Sequence, residues 1–244
     1  PRWSGWLHRH YMELYRLADA LIALTKAEKR LLCQLGIEER RIFVTGNGPN
    51  LADKSDGKVF RETYNIDAAP MVLFLGQKYP YKGISVLLKA AKIVWWQYPQ
   101  TRFVFIGPRT NYSRRLFSNV KDDRILELGI VDLQEKSNAL DACDLLCAPS
   151  TQESFGGVYV EAWMFEKPVI GADIPAVCEV IDHGKDGFLT QPDPETLANK
   201  ILVLLDHPEY RKAFGLHGKQ KVQEKYSWPI LTRKTEQIYE QLLA

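Results

Sequence analysis

Glu153-Ser154-Phe155-Gly156-Gly157-Val158-Tyr159-Val160-Glu161 follows the apolar run Leu145-Leu146-Cys147-Ala148-Pro149 and leads into a second apolar stretch that reaches Phe165. The first run has the length and composition of a buried strand, and the second reads as a helix. Ser154 is the expected N-cap, with Phe155, Gly156 and Gly157 supplying free N–H groups to the first turn. Two adjacent glycines remove side-chain bulk where a ligand would touch backbone. A helix N-terminus reached from the carboxyl end of a strand suits a phosphate, through orphan N–H groups and the helix dipole. Glu153 and Glu161 would repel a lone phosphate, so they need other partners. Vicinal sugar hydroxyls fit, because an ionised carboxylate accepts two hydrogen bonds at once.

From Met71 onward the chain alternates apolar strand runs with helical patterns. The expected strands are Val72–Leu75, Arg102–Ile106, Ile125–Leu128, Leu145–Ala148, Val169–Gly171 and Gly187–Leu189. The expected helices span 83–97, 112–119, 133–142, 157–166, 194–206 and 208–225. Ile84, Leu87, Leu88, Ala91, Val94 and Trp95 form a continuous apolar face at helical spacing. This alternation implies an α/β fold with a doubly wound, Rossmann-like parallel sheet, which takes ligands at the carboxyl ends of its strands. Upstream, Trp3–Asp19 reads as a helix with Trp6, His10, Leu14 and Leu17 near one stripe. Ala20–Leu24 reads as a strand, about Lys26–Leu35 as a helix closed by Gly36, and Arg41–Val44 as a further strand. Thr25 and Glu28 have capping-box spacing. Residues 46–69 are polar and rich in turn formers, which marks a linker. Trp228 to Leu243 is a last amphipathic helix.

Composition narrows the function classes. A net charge of +2 on 244 residues gives no case for nucleic acid. No apolar run approaches a membrane span, and Pro1-Arg2-Trp3 does not open a signal peptide. Cys33, Cys143, Cys147 and Cys178 lack metal-ligand spacing and read as reduced thiols. The histidines at 8, 10, 183, 207 and 217 form no metal set or triad. Gly76-Gln77-Lys78-Tyr79-Pro80-Tyr81-Lys82-Gly83 is not a Walker A loop, and Gly46-Asn47-Gly48 is not a dinucleotide fingerprint.

Glu153 through Glu161, with the Ala-Pro-Ser before it and Glu-Ala-Trp-Met-Phe-Glu-Lys-Pro-Val-Ile overlapping and following it, resembles the Glu-x7-Glu motif of retaining glycosyltransferases of family 4, which have the GT-B fold. The resemblance runs from about Ala18 to the C-terminus and is densest between Gly129 and Leu189. It implies a remnant of an N-terminal domain over 1–45, a linker over 46–69, a nucleotide-sugar-binding domain over 70–227, and a helix over 228–244 that crosses back. A chain that begins mid-pattern without methionine fits the C-terminal, donor-binding half of such an enzyme.

The family's Gly-Arg-x4-Lys-Gly loop matches residues 76–83, so Gly76 and Lys82 carry over as diphosphate contacts. The arginine position is Gln77, which removes a bidentate fork; Lys78 is the expected substitute. Gly107 ends the second strand at the pocket edge, and backbone at Ile130 and Val131 would pair with the base. Lys136 reads as a surface-helix lysine, with a helper role beside the base as the alternative. Phe155, Gly156, Gly157, Val158 and Tyr159 would offer N–H groups to phosphate. Glu161 would hold the ribose, and Glu153 the transferred sugar. The resemblance implies transfer of a hexosyl group from a UDP- or GDP-sugar to a hydroxyl acceptor, saccharide or lipid-linked, through the other domain. It implies no cofactor and no metal, and a cytoplasmic protein with room for peripheral contact at the inner membrane face. On these expectations the half chain binds nucleotide but is inactive alone. A nucleotide-sugar epimerase or phosphorylase of similar architecture, or a non-catalytic nucleotide-sugar-binding module, is the alternative.

Overall fold

A computed structural model describes residues 12–243. Six parallel strands form the main sheet in the order β5-β4-β3-β6-β7-β8. These are β3 (Met71–Leu75), β4 (Arg102–Ile106), β5 (Ile125–Glu127), β6 (Leu145–Ala148), β7 (Val169–Ala172) and β8 (Gly187–Thr190). β3 is buried at every position, as a central parallel strand covered on both faces must be. Its alternate residues serve two cores. Leu73 and Leu75 pack with helices α5 (Leu133–Ala142) and α6 (Gly157–Met164), and Val72 and Phe74 pack with α3 (Ile84–Gln97) and α8 (Pro194–Asp206). The expected doubly wound α/β architecture is therefore present. Strand order reverses between β3 and β6, so the loops at their carboxyl ends open a crevice between them.

A second, two-stranded parallel sheet joins β1 (Leu21–Ala23) to β2 (Ile42–Val44), with α1 (Lys26–Gln34) between them. Its own small core holds Met12, Ala23, Ile37 and Ile42. The expected helix over Trp3–Asp19 lies outside the described residues as far as residue 11; residues 12–17 are helical. Leu14 and Leu17 of its expected apolar stripe are exposed.

Two expectations need correction, and one further helix was not expected. The segment 46–69 is not a bare linker: it contains α2 (Gly57–Thr63), whose N-cap Asp56 accepts hydrogen bonds from Lys58 N and Val59 N and whose Phe60 is buried. The helix expected over 208–225 ends as α9 (Pro208–Lys221) and continues as a π-helical turn over Val222–Tyr226. That wider turn sets Tyr226 edge-on against Phe155, ring centroids 5.2 Å apart, and against Gly46. A short helix α7 (Pro175–Cys178), not read from the sequence, follows β7. The final helix α10 (Trp228–Leu243) returns to the β2 side of the molecule, where Trp228 Nε1 donates to Pro49 O at 2.9 Å and Lys234 Nζ to Thr45 O at 3.3 Å. The four cysteines are free. No helix among the described residues is long and apolar enough to cross a membrane.

Candidate functional site

Glycines bring the strand ends together. Gly107, at φ 138°, lies so close to Gly76 that a Cβ would stand 2.1 Å from the Gly76 carbonyl oxygen. Gly107 N in turn donates to Gly129 O at 3.0 Å. The carboxyl ends of β3, β4 and β5 thus meet in direct backbone contact. Gly83, at φ 73°, starts α3 and touches Pro149, where a side chain would collide with the proline carbonyl. Thr151 N donates to Tyr81 O at 2.8 Å. The loop 76–83 and the loop after β6 are therefore held edge to edge.

Across that seam Lys82 Nζ meets Glu153 Oε1 at 2.5 Å, with both side chains largely buried. Sequence reading placed both residues at one site, and the structure joins them as an ion pair. Glu161, on the second turn of α6, is 9% exposed. Its Oε1 accepts from Lys136 Nζ at 2.8 Å and lies 3.4 Å from Asn50 N. Lys136 Nζ also donates to Asn50 O at 2.6 Å. Lys136, which read as a surface lysine, is thus the counter-charge of the second motif acid. Its position four residues after the N-cap Asp132 was the available signal, since the first turn of α5 faces the strand ends. Asn50 was missed because backbone contacts leave no mark in residue type.

The start of α6 differs from expectation. Ser154 is not its N-cap. Gly156 takes that position at φ 82°, with no side-chain cap, so the first turn has no side-chain acceptor for its N–H groups. A Cβ on Gly156 would lie 2.3 Å from the Tyr159 ring, which fixes glycine there. Tyr159 is also corrected as an N–H contact: its N–H donates to Gly156 O at 3.0 Å. Its buried hydroxyl donates to Ala148 O at 2.9 Å. Burial, then the nearby Glu153 and Cys147, push its ionisation well above the usual tyrosine range. Phe155 turns its ring into the core, leaving only backbone for the site, while Gly157 and Val158 are partly exposed.

Lys78 is the main correction. It is 0% exposed, its ammonium held by the Glu127 carboxylate and the Leu128 carbonyl. Arg109 Nε donates to the other oxygen of Glu127 at 2.7 Å. Burial lowers the Lys78 pKa against the opposing pull of Glu127. An ammonium so enclosed belongs to the β5 side of the sheet and does not replace the arginine absent at Gln77, whose own side chain is exposed. Ile130 stands 80% exposed at the rim, and Val131 packs partly against the core.

Two basic–acidic pairs, a glycine-rich helix start and three abutting strand ends lie along the carboxyl edge of the sheet. The lysines can meet phosphate oxygens, and the carboxylates can meet hydroxyl groups. The family described as glycosyl transferases group 1 matches residues 57–221. An uncharacterized glycosyltransferase of Methanocaldococcus jannaschii is 32% identical over 173 residues, covering 70% of this chain and 48% of the relative. The phosphatidyl-myo-inositol mannosyltransferase of Mycobacterium tuberculosis is 31% identical over 176 residues, covering 69% of this chain and 46% of the relative. The chain thus spans about half the length of these relatives. In fold it is similar to Anabaena HepE, solved in complex with UDP and glucose, with a TM-score of 0.86 at 24% identity over 99% of this chain and 68% of that one. With a family match over well over half of its length, the chain belongs to the glycosyl transferases group 1 family.

Proposed function

We propose that this chain is the donor-binding half of a retaining hexosyltransferase that uses a nucleoside diphosphate sugar. The Lys82–Glu153 pair at the start of α6 carries the reading. Leaving-group departure builds negative charge on the β-phosphate of the donor, and Lys82 together with the N–H groups of Gly157 and Val158 would stabilise it. Lys82 is bound to Glu153 beforehand, so an arriving diphosphate competes for the ammonium. Once Lys82 turns to phosphate, the Glu153 carboxylate is released to accept hydrogen bonds from the transferred sugar. Glu161, oriented by Lys136, would hold the ribose hydroxyls. Ile130 offers an apolar edge and backbone groups to the base.

The acceptor hydroxyl would attack from the face the diphosphate leaves, held by residues that the longer relatives have beyond the matched half. The chain alone would bind donor without transferring the sugar, because transfer needs the acceptor oxygen held about 3–3.5 Å from the sugar carbon. Titration calorimetry with UDP, GDP, UDP-glucose and GDP-mannose tests the reading. One diphosphate and its matching sugar nucleotide should bind, and the pair carrying the other base should bind more weakly. Failure of all four ligands to bind would refute it.

A further inference from the structure

Thr25 follows β1 by two residues and caps α1, accepting from Glu28 N at 3.2 Å. A cap by itself needs no burial, yet Thr25 is 2% exposed. Its one hydroxyl proton goes to the carbonyl oxygen of Ser154 at 3.0 Å, 129 residues further along the chain. Ser154 adjoins Glu153. On the other side of Glu153 the loop is pinned by Thr151 N to Tyr81 O. Glu153 therefore stands between two anchors, one from the loop 76–83 and one from the first sheet unit. The same helix holds the main sheet at a second point: Glu179 accepts from Lys26 N at 2.5 Å and from Arg30 Nη2 at 2.9 Å. Threonine suits this place because a hydroxyl accepts and donates at once. Aspartate would cap the helix equally well but has no proton to give.

We propose that Thr25 is a positioning residue for Glu153, coupling the first sheet unit to the sugar-binding acid and not to the phosphate contacts. The proposal rests on the donor-binding function given above. A shift of α1 against the main sheet would move the Ser154 carbonyl, and Glu153 with it, while Lys82 and the start of α6 keep their diphosphate contacts.

The test is titration calorimetry of the whole chain with UDP, UDP-glucose, GDP and GDP-mannose, on the wild type and on Thr25→Ser, Thr25→Asp, Thr25→Val and Glu28→Ala. Thr25→Ser should match the wild type. Thr25→Asp and Thr25→Val should keep the diphosphate affinity and bind the matching sugar nucleotide about tenfold more weakly. Glu28→Ala, which removes the carboxylate accepting from Leu24 N, should lower the melting temperature and leave the ratio of the two affinities unchanged. Thr25→Asp retains the cap and reports on the contact even where Thr25→Val does not fold. A wild-type ratio in Thr25→Asp, or an equal change of ratio in Glu28→Ala, would overturn the role of the hydroxyl. A wild type that binds none of the four ligands would overturn the function reading, and the proposal would fall with it.

Discussion

Lys78 and Lys82 stand four residues apart on one loop and have opposite fates. Lys82 reaches the Glu153 carboxylate in the crevice, and Lys78 is enclosed by Glu127 and the Leu128 carbonyl. Lys82→Met is expected to weaken nucleoside diphosphate binding by about 1.5–3 kcal/mol, the range for hydrogen bonds to charged groups. Lys78→Met should lower the melting temperature, because Glu127 loses a buried partner, yet leave the preference for diphosphate over monophosphate intact. Calorimetry and thermal unfolding of both variants separate the two roles. Lys136→Met should weaken diphosphate binding too, since Glu161 would then present an unbalanced negative charge near the phosphates; the loss should shrink as salt screens the repulsion. The sequence carried Glu153, Glu161 and Lys82 because their spacing is fixed by a loop and a helix. It did not carry the direction of the Lys78 side chain, which is set by Glu127, 49 residues away. Nor did it show Lys136 against Glu161, 25 residues apart on different helices.

Helix α3 was legible as an element because its apolar face repeats at helical spacing and is buried as a unit. Helix α2 was not. Gly57, Val59 and Thr63 are indifferent or poor helix formers, and short helices in water take their stability from packing. Phe60 supplies the apolar contact, and at Gly57 the packing is backbone on backbone: a Cβ there would lie 2.7 Å from Ala142 N. Gly57→Ala should therefore lower the melting temperature, although alanine is the better helix former by about 1 kcal/mol; a higher melting temperature would show that α2 packs loosely on α5. The π-turn was equally hidden, since a helix reads the same whether its last turn is α or π. It turns Tyr226 inward, where burial, then Asp182, Asp186 and Glu179, raise its pKa to about 12. The folded-state value lies above the ordinary tyrosine value, so the stabilising effect is whole below about pH 10 and drains away as the pH rises towards 12. Tyr226→Phe lacks that titration and should move the midpoint of alkaline unfolding to higher pH, with little change at pH 7. An unchanged midpoint would place the tyrosine hydroxyl in water.

At the scale of the molecule, the doubly wound sheet was readable from the alternation of strand and helix patterns, and its switch point followed from the strand order. The tie between the two sheets was not, because it is made by single contacts: Trp228 to Pro49, Thr25 to Ser154, and the backbone N–H of Lys26 to Glu179. Nothing in residue type announces them, yet they hold the first unit against the main-sheet unit. The crevice is expected to divide its labour between the two motif acids, one for the nucleotide and one for the sugar. Titration calorimetry of Glu153→Gln and Glu161→Gln with a nucleoside diphosphate and its sugar nucleotide measures that division. Glu161→Gln should weaken both ligands by about 1–3 kcal/mol. Glu153→Gln should leave the diphosphate nearly unaffected and weaken only the sugar nucleotide. Equal loss of diphosphate affinity in the two variants would contradict the assignment of ribose to Glu161 and of the transferred sugar to Glu153.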